Sequence, residues 1–109
     1  MPLTAGQLRE LVRQVTDTDP KQRELGADRV SDWLGSYSPS DINTLCGILS
    51  MSAAVEDNSA TAEAQLNALT ELGSTGSVHA EYISRLREIN LDRLHPNLVE
   101  YVNDLLETP

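Results

Sequence analysis

The stretch DPKQRELGADRVSDWLGS, residues 19–36, carries the signals that decide the fold. Asp19-Pro20 interrupts the chain and starts a helix, because proline fits the first helical position, where its missing N–H costs nothing. Apolar residues follow at helical spacing: Val30, Trp33 and Leu34. Gly35 is expected to end the helix in the left-handed conformation. The stretch therefore predicts a helix from Pro20 to about Leu34.

The same signals recur 38 positions further along the chain. Asp57-Asn58 repeats the break, and Leu72-Gly73-Ser74 repeats Leu34-Gly35-Ser36. A third break, His95-Pro96, lies another 38 positions beyond Asp57. This spacing predicts a pair of helices that occurs three times. Each pair would bury its apolar face against its neighbour, and about three such units are needed for a stable stack.

Helix signals also fill the segments between the breaks. Thr4 is a suitable N-cap for a first helix, and Ser38-Pro39 starts a third that fades near Val55. A fourth helix is expected to end at Gly73. A fifth should bury Tyr82, Ile83, Leu86 and Ile89, and a sixth begins at Pro96 with apolar residues Leu98, Val99, Tyr101, Val102, Leu105 and Leu106. Because no alternation of period two occurs, the predicted class is all-α with about six helices.

With these positions in hand, the chain resembles the HEAT-repeat family along nearly its whole length. The matching residues in the first unit are Asp19, Pro20, Arg23, Ala27, Val30, Leu34 and Gly35, and in the second Asp57, Ala64, Ala68, Leu72 and Gly73. The resemblance implies a single HEAT-like domain, residues 1–109, built as a short right-handed α-α superhelix of helical hairpins. It also implies that the second helix of each pair lines the concave side.

The resemblance has departures that leave a second architecture open. Residues 60–62 of the second unit, Ala-Thr-Ala, stand where the family has Arg, and His95 replaces Asp in the third. The Asp–Arg ladder typical of the family is thus expected only in the first unit. The alternative is a plain helical bundle whose periodicity is accidental.

Composition limits the classes to which the protein can belong. The 109 residues are 39% hydrophobic and 4% aromatic with no Phe, which predicts one domain with an aliphatic core. A net charge of −9 makes direct nucleic-acid binding unfavourable, because phosphates repel it. No apolar run is long enough for a membrane span, and the start, Met1–Gln7, has no signal-peptide pattern. With one cysteine and no internal disulfide, a cytoplasmic location is expected.

No set of residues has the pattern of a catalytic or metal site. His79 and His95 are 16 positions apart without ligand spacing, so surface or capping roles are favoured. Cys46 lies on an apolar stripe and is interpreted as a buried small hydrophobe. The loop Gly73–Ser77 lacks the lysine of a phosphate-binding loop, so it is interpreted as a helix end that also supplies the cap of the next helix. The sequence thus predicts no cofactor, no metal and no enzyme activity.

The distribution of charge is the unusual feature of the chain. Between Arg29 and Arg85 there is no Lys or Arg, whereas seven carboxylates occur there. If the pairs stack, the middle of the protein shows an unneutralised negative surface. The residues predicted to contact a partner are Asp28, Asp32, Trp33, Glu56, Asp57, Glu63 and Glu71. Two alternatives stay open: the acidic residues serve only solubility, and Trp33 serves only packing.

These observations favour a non-enzymatic protein-binding module with a basic protein as its partner. The most concrete version is an immunity protein that neutralises a basic toxin, for example a nuclease, as a free monomer or in a 1:1 complex, with no direct contact to nucleic acid or membrane. Carboxylates would then steer the encounter, and a few buried anchors would supply affinity. The alternative is a structural adaptor or scaffold subunit that buries apolar surface instead.

Overall fold

A computed structural model of the chain describes residues 2–107, in which helices joined by short turns make up the structure and no strand occurs. The all-α prediction is therefore confirmed. The α-helices are α1 (Ala5–Val15), α2 (Pro20–Asp32), α3 (Pro39–Ala54), α4 (Ser59–Gly73) and α5 (Pro96–Leu106). Three segments of 3₁₀-helix connect them: Leu34–Ser36, Ala80–Glu88 and Leu91–Arg93. No helix within residues 2–107 is both long and apolar enough to cross a bilayer.

The helices begin where the sequence predicts because their caps are local. Thr4 and Gln7 form a capping box, in which the Gln7 N–H donates to Thr4 Oγ1 at 3.1 Å. Ser38 and Asp41 form a second box at the start of α3. Asp19 caps α2 with Pro20 at the first position. Each cap satisfies an N–H that the first helical turn leaves without a partner.

The end of α2 differs from the prediction. The helix ends at Asp32 and continues as the 3₁₀ turn Leu34–Ser36, in which the Ser36 N–H donates to the Trp33 carbonyl at 2.9 Å. An i to i+3 bond of this kind closes the chain without any left-handed residue. Gly35 is accordingly not left-handed, and Gly76 is the glycine with positive φ, at 77°.

The predicted fifth α-helix is a 3₁₀-helix, which is the main correction to the predicted elements. It spans Ala80–Glu88, with Ile83 and Leu86 buried as predicted. Because 3₁₀ geometry repeats every 3.0 residues, Ile83, Leu86 and the half-buried Ile89 share one face. Tyr82 falls off this face and is exposed. The preceding loop is held by the buried Asn43, which accepts from the His79 N–H and donates to the Ser77 carbonyl.

The elements pack as pairs into two layers. α1 contacts α2, α3 contacts α4, and the segment Ala80–Glu88 contacts α5. Across the pairs, α4 contacts both α2 and α5, and α3 contacts both α1 and Ala80–Glu88. We call α2, α4 and α5 the inner-series layer, and α1, α3 and Ala80–Glu88 the outer-series layer. The overall extents of 39 × 33 × 18 Å fit a slab two helices thick.

The core between the layers is aliphatic, as the absence of Phe predicts. It contains mainly leucines with Ala, Val and Ile, and α3 and α4 contribute five buried residues each. The largest fully buried apolar side chains are Leu11, Val15, Val30, Leu45, Leu49, Leu66, Leu69, Leu72, Ile83, Leu86 and Val102. Burial of this apolar surface determines which helix faces remain exposed to solvent, and it thereby positions the exposed carboxylates of α2 and α4.

Candidate functional site

A groove in the inner-series layer brings together two of the predicted contact residues, Asp28 and Glu63. It has a volume of about 340 Å³ and runs between α2, α4 and α5. We call it the acidic groove. Its lining residues are Glu24 and Asp28 from α2, Ala60, Glu63, Ala64 and Asn67 from α4, and Tyr101 from α5.

Helical spacing explains why the carboxylates share one face. Glu24, Asp28 and Asp32 follow one another at intervals of four on α2, and Glu63 and Glu71 lie eight apart on α4. Residues at such intervals lie above one another on a helix surface. Asp28, Asp32, Glu63 and Glu71 are all exposed. The structure therefore places four of the seven predicted contact residues on the solvent side of α2 and α4.

The charge on this face is only weakly compensated. The pKa of Asp28 is raised from its ordinary value, first because partial burial penalises the carboxylate and then because Glu24 and Asp32 repel it. Lys21 opposes this shift, and its Nζ lies 3.7 Å from Glu24 Oε1; the lysine is exposed and the glutamate is partly buried. At this separation, with the lysine exposed, the pair contributes little.

The other predicted contact residues lie elsewhere. Trp33 is half-buried against the core at the end of α2, which fits its packing role. Glu56 and Asp57 belong to the turn between α3 and α4, where they line a separate cleft of about 410 Å³ with Thr16, Asp17, Pro20, Arg23, Ser52, Val55 and Asn58. The seven residues thus do not form one surface.

Glu56 corrects the expectation that the middle carboxylates are unneutralised. Its side chain is 2% exposed and forms a bidentate ion pair with Arg23, with Nε–Oε1 at 2.7 Å and Nη2–Oε2 at 2.8 Å. Gln65 Nε2 also donates to Glu56 Oε1 at 3.0 Å. We call this pair and its hydrogen-bond partners the Arg23–Glu56 clasp. Glu56 is therefore bound inside the chain and is unavailable to a partner.

Electrostatics within the clasp favour both charged forms. Burial by itself would raise the pKa of Glu56, but hydrogen bonds from Arg23, Asn58 and Gln65, together with the Arg23 charge, hold it below its ordinary value. The hydrogen bond to Glu56 raises the pKa of Arg23. Arg23 Nη1 also donates to the Asp17 and Thr18 carbonyls at 2.8 and 3.0 Å. The guanidinium therefore links the turn before α2 to the turn before α4.

Cys46 and His95, which were considered as candidate reactive residues, occupy structural positions. Cys46 is fully buried, and burial raises the pKa of its thiol to about 12, so the reactive thiolate is disfavoured. His95 caps α5, accepting from the Asn97 N–H at 3.3 Å. Within residues 2–107 no group of three or more His, Cys, Asp or Glu side chains is placed to hold a metal ion.

The loop Gly73–Ser77 follows the carboxyl end of α4, where the helix dipole repels anions. Ser74 Oγ and Thr75 Oγ1 donate to the last carbonyls of that helix, at 2.6 Å to Glu71 and 2.7 Å to Leu72. These hydroxyls complete the helix end, as the sequence predicts. The loop does not cap the next helical segment, whose N-cap is His79 without a side-chain capping bond.

Besides Ala60 and Ala64, sequence reasoning missed three lining residues of the acidic groove that carry polar groups: Glu24, Asn67 and Tyr101. Glu24 lies outside the stretch without cations, although its spacing of four from Asp28 is a usable signal. Tyr101 was assigned to the apolar side of the last helix, but it is 37% exposed. Only the contact of α5 with α4 brings it to the groove.

A second exposed feature lies on α3 in the outer-series layer. Met51 is 58% exposed and Val55, just beyond the helix end, is 79% exposed. No charged residue occurs between Asp41 and Glu56. Met51 and Val55 make this surface apolar, in contrast to the acidic groove on the opposite layer, and Val55 also borders the charged cleft that contains Arg23 and Glu56.

Comparisons of the chain with family models, with curated proteins and with solved structures gave no match.

Proposed function

We propose that this chain is a protein-binding module without enzymatic activity, whose acidic groove and flanking carboxylates bind a basic protein. The observation that carries the proposal is the convergence of Glu24, Asp28 and Glu63 on one groove whose lining contains no cation among the described residues. Asp32 and Glu71 extend the negative charge along α2 and α4. The functional surface proposed is thus the exposed side of the inner-series layer.

The physical role of these carboxylates is steering and discrimination. A surface of one sign attracts an oppositely charged partner and raises the association rate, and it repels acidic competitors. Most of the affinity would come from a few well-packed side chains near the centre of the interface. The groove supplies such a centre because it is concave and is partly walled by Tyr101.

The most concrete form of the proposal is an immunity protein that neutralises a basic toxin, such as a nuclease, in a 1:1 complex. A nuclease cleft is positive because it binds phosphates, and an acidic face can occupy it by resembling that charge. The net charge of −9 on 109 residues supports this form. Cytoplasmic action on a toxin is part of the same proposal.

A HEAT-like stack is the architecture we propose for this module. Support comes from the pairing of elements into two layers and from bonds between equivalent turns. Arg23 binds Glu56 of the following turn, and Thr61, 38 positions after Arg23, donates its hydroxyl to the Pro20 carbonyl at 2.9 Å. Such bonds between neighbouring units are what hold a repeat stack together.

Two charge-matched variants test the proposed surface. The first neutralises the inner-series face with Asp28→Asn, Asp32→Asn, Glu63→Gln and Glu71→Gln. The second removes the same number of charges elsewhere with Glu10→Gln, Glu81→Gln, Glu88→Gln and Asp92→Asn. Each tagged variant is used to capture partners from the native cell, and mass spectrometry identifies what is bound.

The expected result is a basic partner held by the wild type and the second variant but lost by the first. With the purified partner, stopped-flow association should slow roughly tenfold for the first variant and should fall steeply with salt for the wild type. Equal capture by both variants, or association that is independent of salt, would contradict the proposal.

A structural adaptor is the second candidate, and the apolar surface on α3 favours it. Met51 and Val55 are the most exposed large hydrophobic residues of the described chain. An exposed apolar patch is a common mark of a protein interface. The double variant Met51→Ser, Val55→Ser separates the two candidates, because an adaptor docked through α3 would lose its partner while a partner held at the acidic groove would stay.

A further inference from the structure

The acidic groove has the dimensions of a recess for one long side chain. Its volume of about 340 Å³ lies at the lower end of the range for ligand pockets, which is roughly 300–1,000 Å³. The part contributed by α4 includes two small residues, Ala60 and Ala64. Because neither side chain extends beyond Cβ, the recess between α2 and α5 stays open. This volume is sufficient for one long side chain of a partner.

The walls of the recess differ in chemistry. α2 contributes the carboxylates of Glu24 and Asp28, and α5 contributes the ring of Tyr101. Between them, Glu63 and Asn67 of α4 add a carboxylate and an amide. The cation nearest in sequence, Lys21, is exposed and contacts Glu24 at 3.7 Å, a separation too long for a strong charge-assisted bond.

A guanidinium group matches this combination of carboxylates and an aromatic ring better than an ammonium group does. It is planar, it binds carboxylates with two parallel hydrogen bonds, and it stacks on aromatic faces. An ammonium group is a strongly hydrated point charge that can use the carboxylates but gains less from the ring. We infer that the acidic groove receives an arginine side chain of the partner in preference to lysine. This inference rests on the proposed function, and it assigns Tyr101 as the residue that determines the preference.

Two peptides of equal charge test the preference. Fluorescently labelled octa-arginine and octa-lysine are titrated with the folded protein at 0.15 M ionic strength, and anisotropy gives both dissociation constants. We expect octa-arginine to bind about fivefold more tightly, the order of magnitude that one cation–π contact provides. Tyr101→Leu should reduce the ratio to about one while changing octa-lysine binding by less than about twofold, because the carboxylates remain.

Tyr82→Leu is the matched control, since Tyr82 is exposed to a similar extent, 42% against 37%, but lies in the outer-series layer. It should leave the ratio unchanged. Ala60→Leu adds bulk to the recess at an exposed position and should act as Tyr101→Leu does, with circular dichroism used to verify that the fold persists. Because Tyr101 is exposed, its own substitution should leave the fold intact.

The outcomes separate this inference from the proposed function. Equal affinities of the wild type for the two peptides, or a ratio that survives Tyr101→Leu, would overturn the arginine recess. Weaker binding of both peptides by Asp28→Asn, Glu63→Gln would in that case still support an acidic docking face. If neither peptide binds the wild type, both the recess and the charge-based function are refuted.

Discussion

The Arg23–Glu56 clasp and the acidic groove contain the same kind of side chain in opposite states. Glu56 lies under a guanidinium that comes from the preceding pair of helices, so its charge is neutralised within the chain. Asp28 and Glu63 line a groove without such a cation. The comparison shows that a count of charges along the sequence does not identify a docking surface. One long-range arginine decides whether a carboxylate stabilises the fold or stays available to a partner.

Removal of the arginine should have the largest effect on stability. Arg23→Ala leaves the nearly buried Glu56 without its partner and removes two bonds to turn carbonyls, so we expect a loss of about 3 kcal/mol. For a chain of this size the loss corresponds to a fall in Tm of roughly 15 °C. Urea unfolding and calorimetry measure both quantities.

Arg13→Ala provides the control for that experiment. Arg13 pairs with Glu10 at 3.8 Å, and both side chains are largely exposed. Its loss should change stability by no more than about 0.5 kcal/mol. If the two alanine variants were equally stable, the clasp would not hold the turns together, and the contrast with the groove would lose its energetic basis.

The clasp should also make stability sensitive to acid. The pKa of Glu56 is lowered in the folded state from its ordinary value of 4.5, so the stabilisation is complete above pH 4.5 and is lost as the pH falls through the folded-state pKa. Glu56→Gln removes this titration. Below about pH 4.5 the free energy of unfolding should therefore fall less steeply for this variant than for the wild type.

Glu10→Gln is the matched control for the acid series. Glu10 is an exposed glutamate whose cation lies 3.8 Å away, so the variant should follow the wild-type profile closely. Parallel profiles for Glu56→Gln and the wild type would show that the buried pair does not control acid stability.

The sequence predicts the features of this comparison that depend on local contacts. Helix starts at Thr4, Pro20 and Ser38 follow from capping, in which donor and acceptor are at most three residues apart. The α2 carboxylates share a face because of helical spacing alone. These features need no knowledge of the tertiary structure, and the predicted helix starts are confirmed.

Features that depend on distant contacts were predicted less well. Arg23 and Glu56 are 33 positions apart, so their ion pair has no local signal, and Glu56 is predicted as a surface carboxylate. The segment Ala80–Glu88 was predicted as α-helix because burial at Ile83 and Leu86 fits both an α-helix and a 3₁₀-helix. Tyr101 was grouped with the apolar residues of the last helix, and its exposure depends on how α5 packs against α4. In each case the deciding contact lies outside the local window.

A single substitution should convert the groove into a neutralised site like the clasp. Asn67 lines the groove and is exposed, one turn after Glu63. Asn67→Arg places a guanidinium at the spacing of four that favours an ion pair, with a gain in stability of about 0.3–0.5 kcal/mol. Binding of octa-arginine should weaken strongly because the recess is filled and its charge reduced.

Asn67→Gln serves as the control for that variant, since it lengthens the side chain without adding charge. It should retain most of the peptide binding. If Asn67→Arg bound octa-arginine as well as the wild type does, the groove would not be the site of the cation.

The smallest expected effect concerns Asp28, whose titration has the opposite sign to that of Glu56. Its folded-state pKa is raised above the ordinary value of 3.8, so its favourable contribution is present below pH 3.8 and is lost as the pH rises through the folded-state pKa. At pH 7 the charged form therefore opposes folding slightly. Asp28→Asn should stabilise the protein at pH 7 by a few tenths of a kcal/mol, which is typical of a surface substitution. This gain in stability should vanish near pH 3.

Asp92→Asn is the control, because it removes one exposed carboxylate that lies outside α2 and α4. It should increase the free energy of unfolding at pH 7 by less than Asp28→Asn does, since Glu24 and Asp32 are not its neighbours on a helix face. Carboxyl NMR titration of the wild type measures the pKa of Asp28 directly. A value below 3.8, or destabilisation by Asp28→Asn at pH 7, would mean that another group neutralises this face. Binding of a cation would relieve the repulsion between Asp28 and its acidic neighbours. A low pKa of Asp28, or destabilisation by Asp28→Asn, would show that this repulsion is absent, and the physical reason for a basic partner at the groove would be lost.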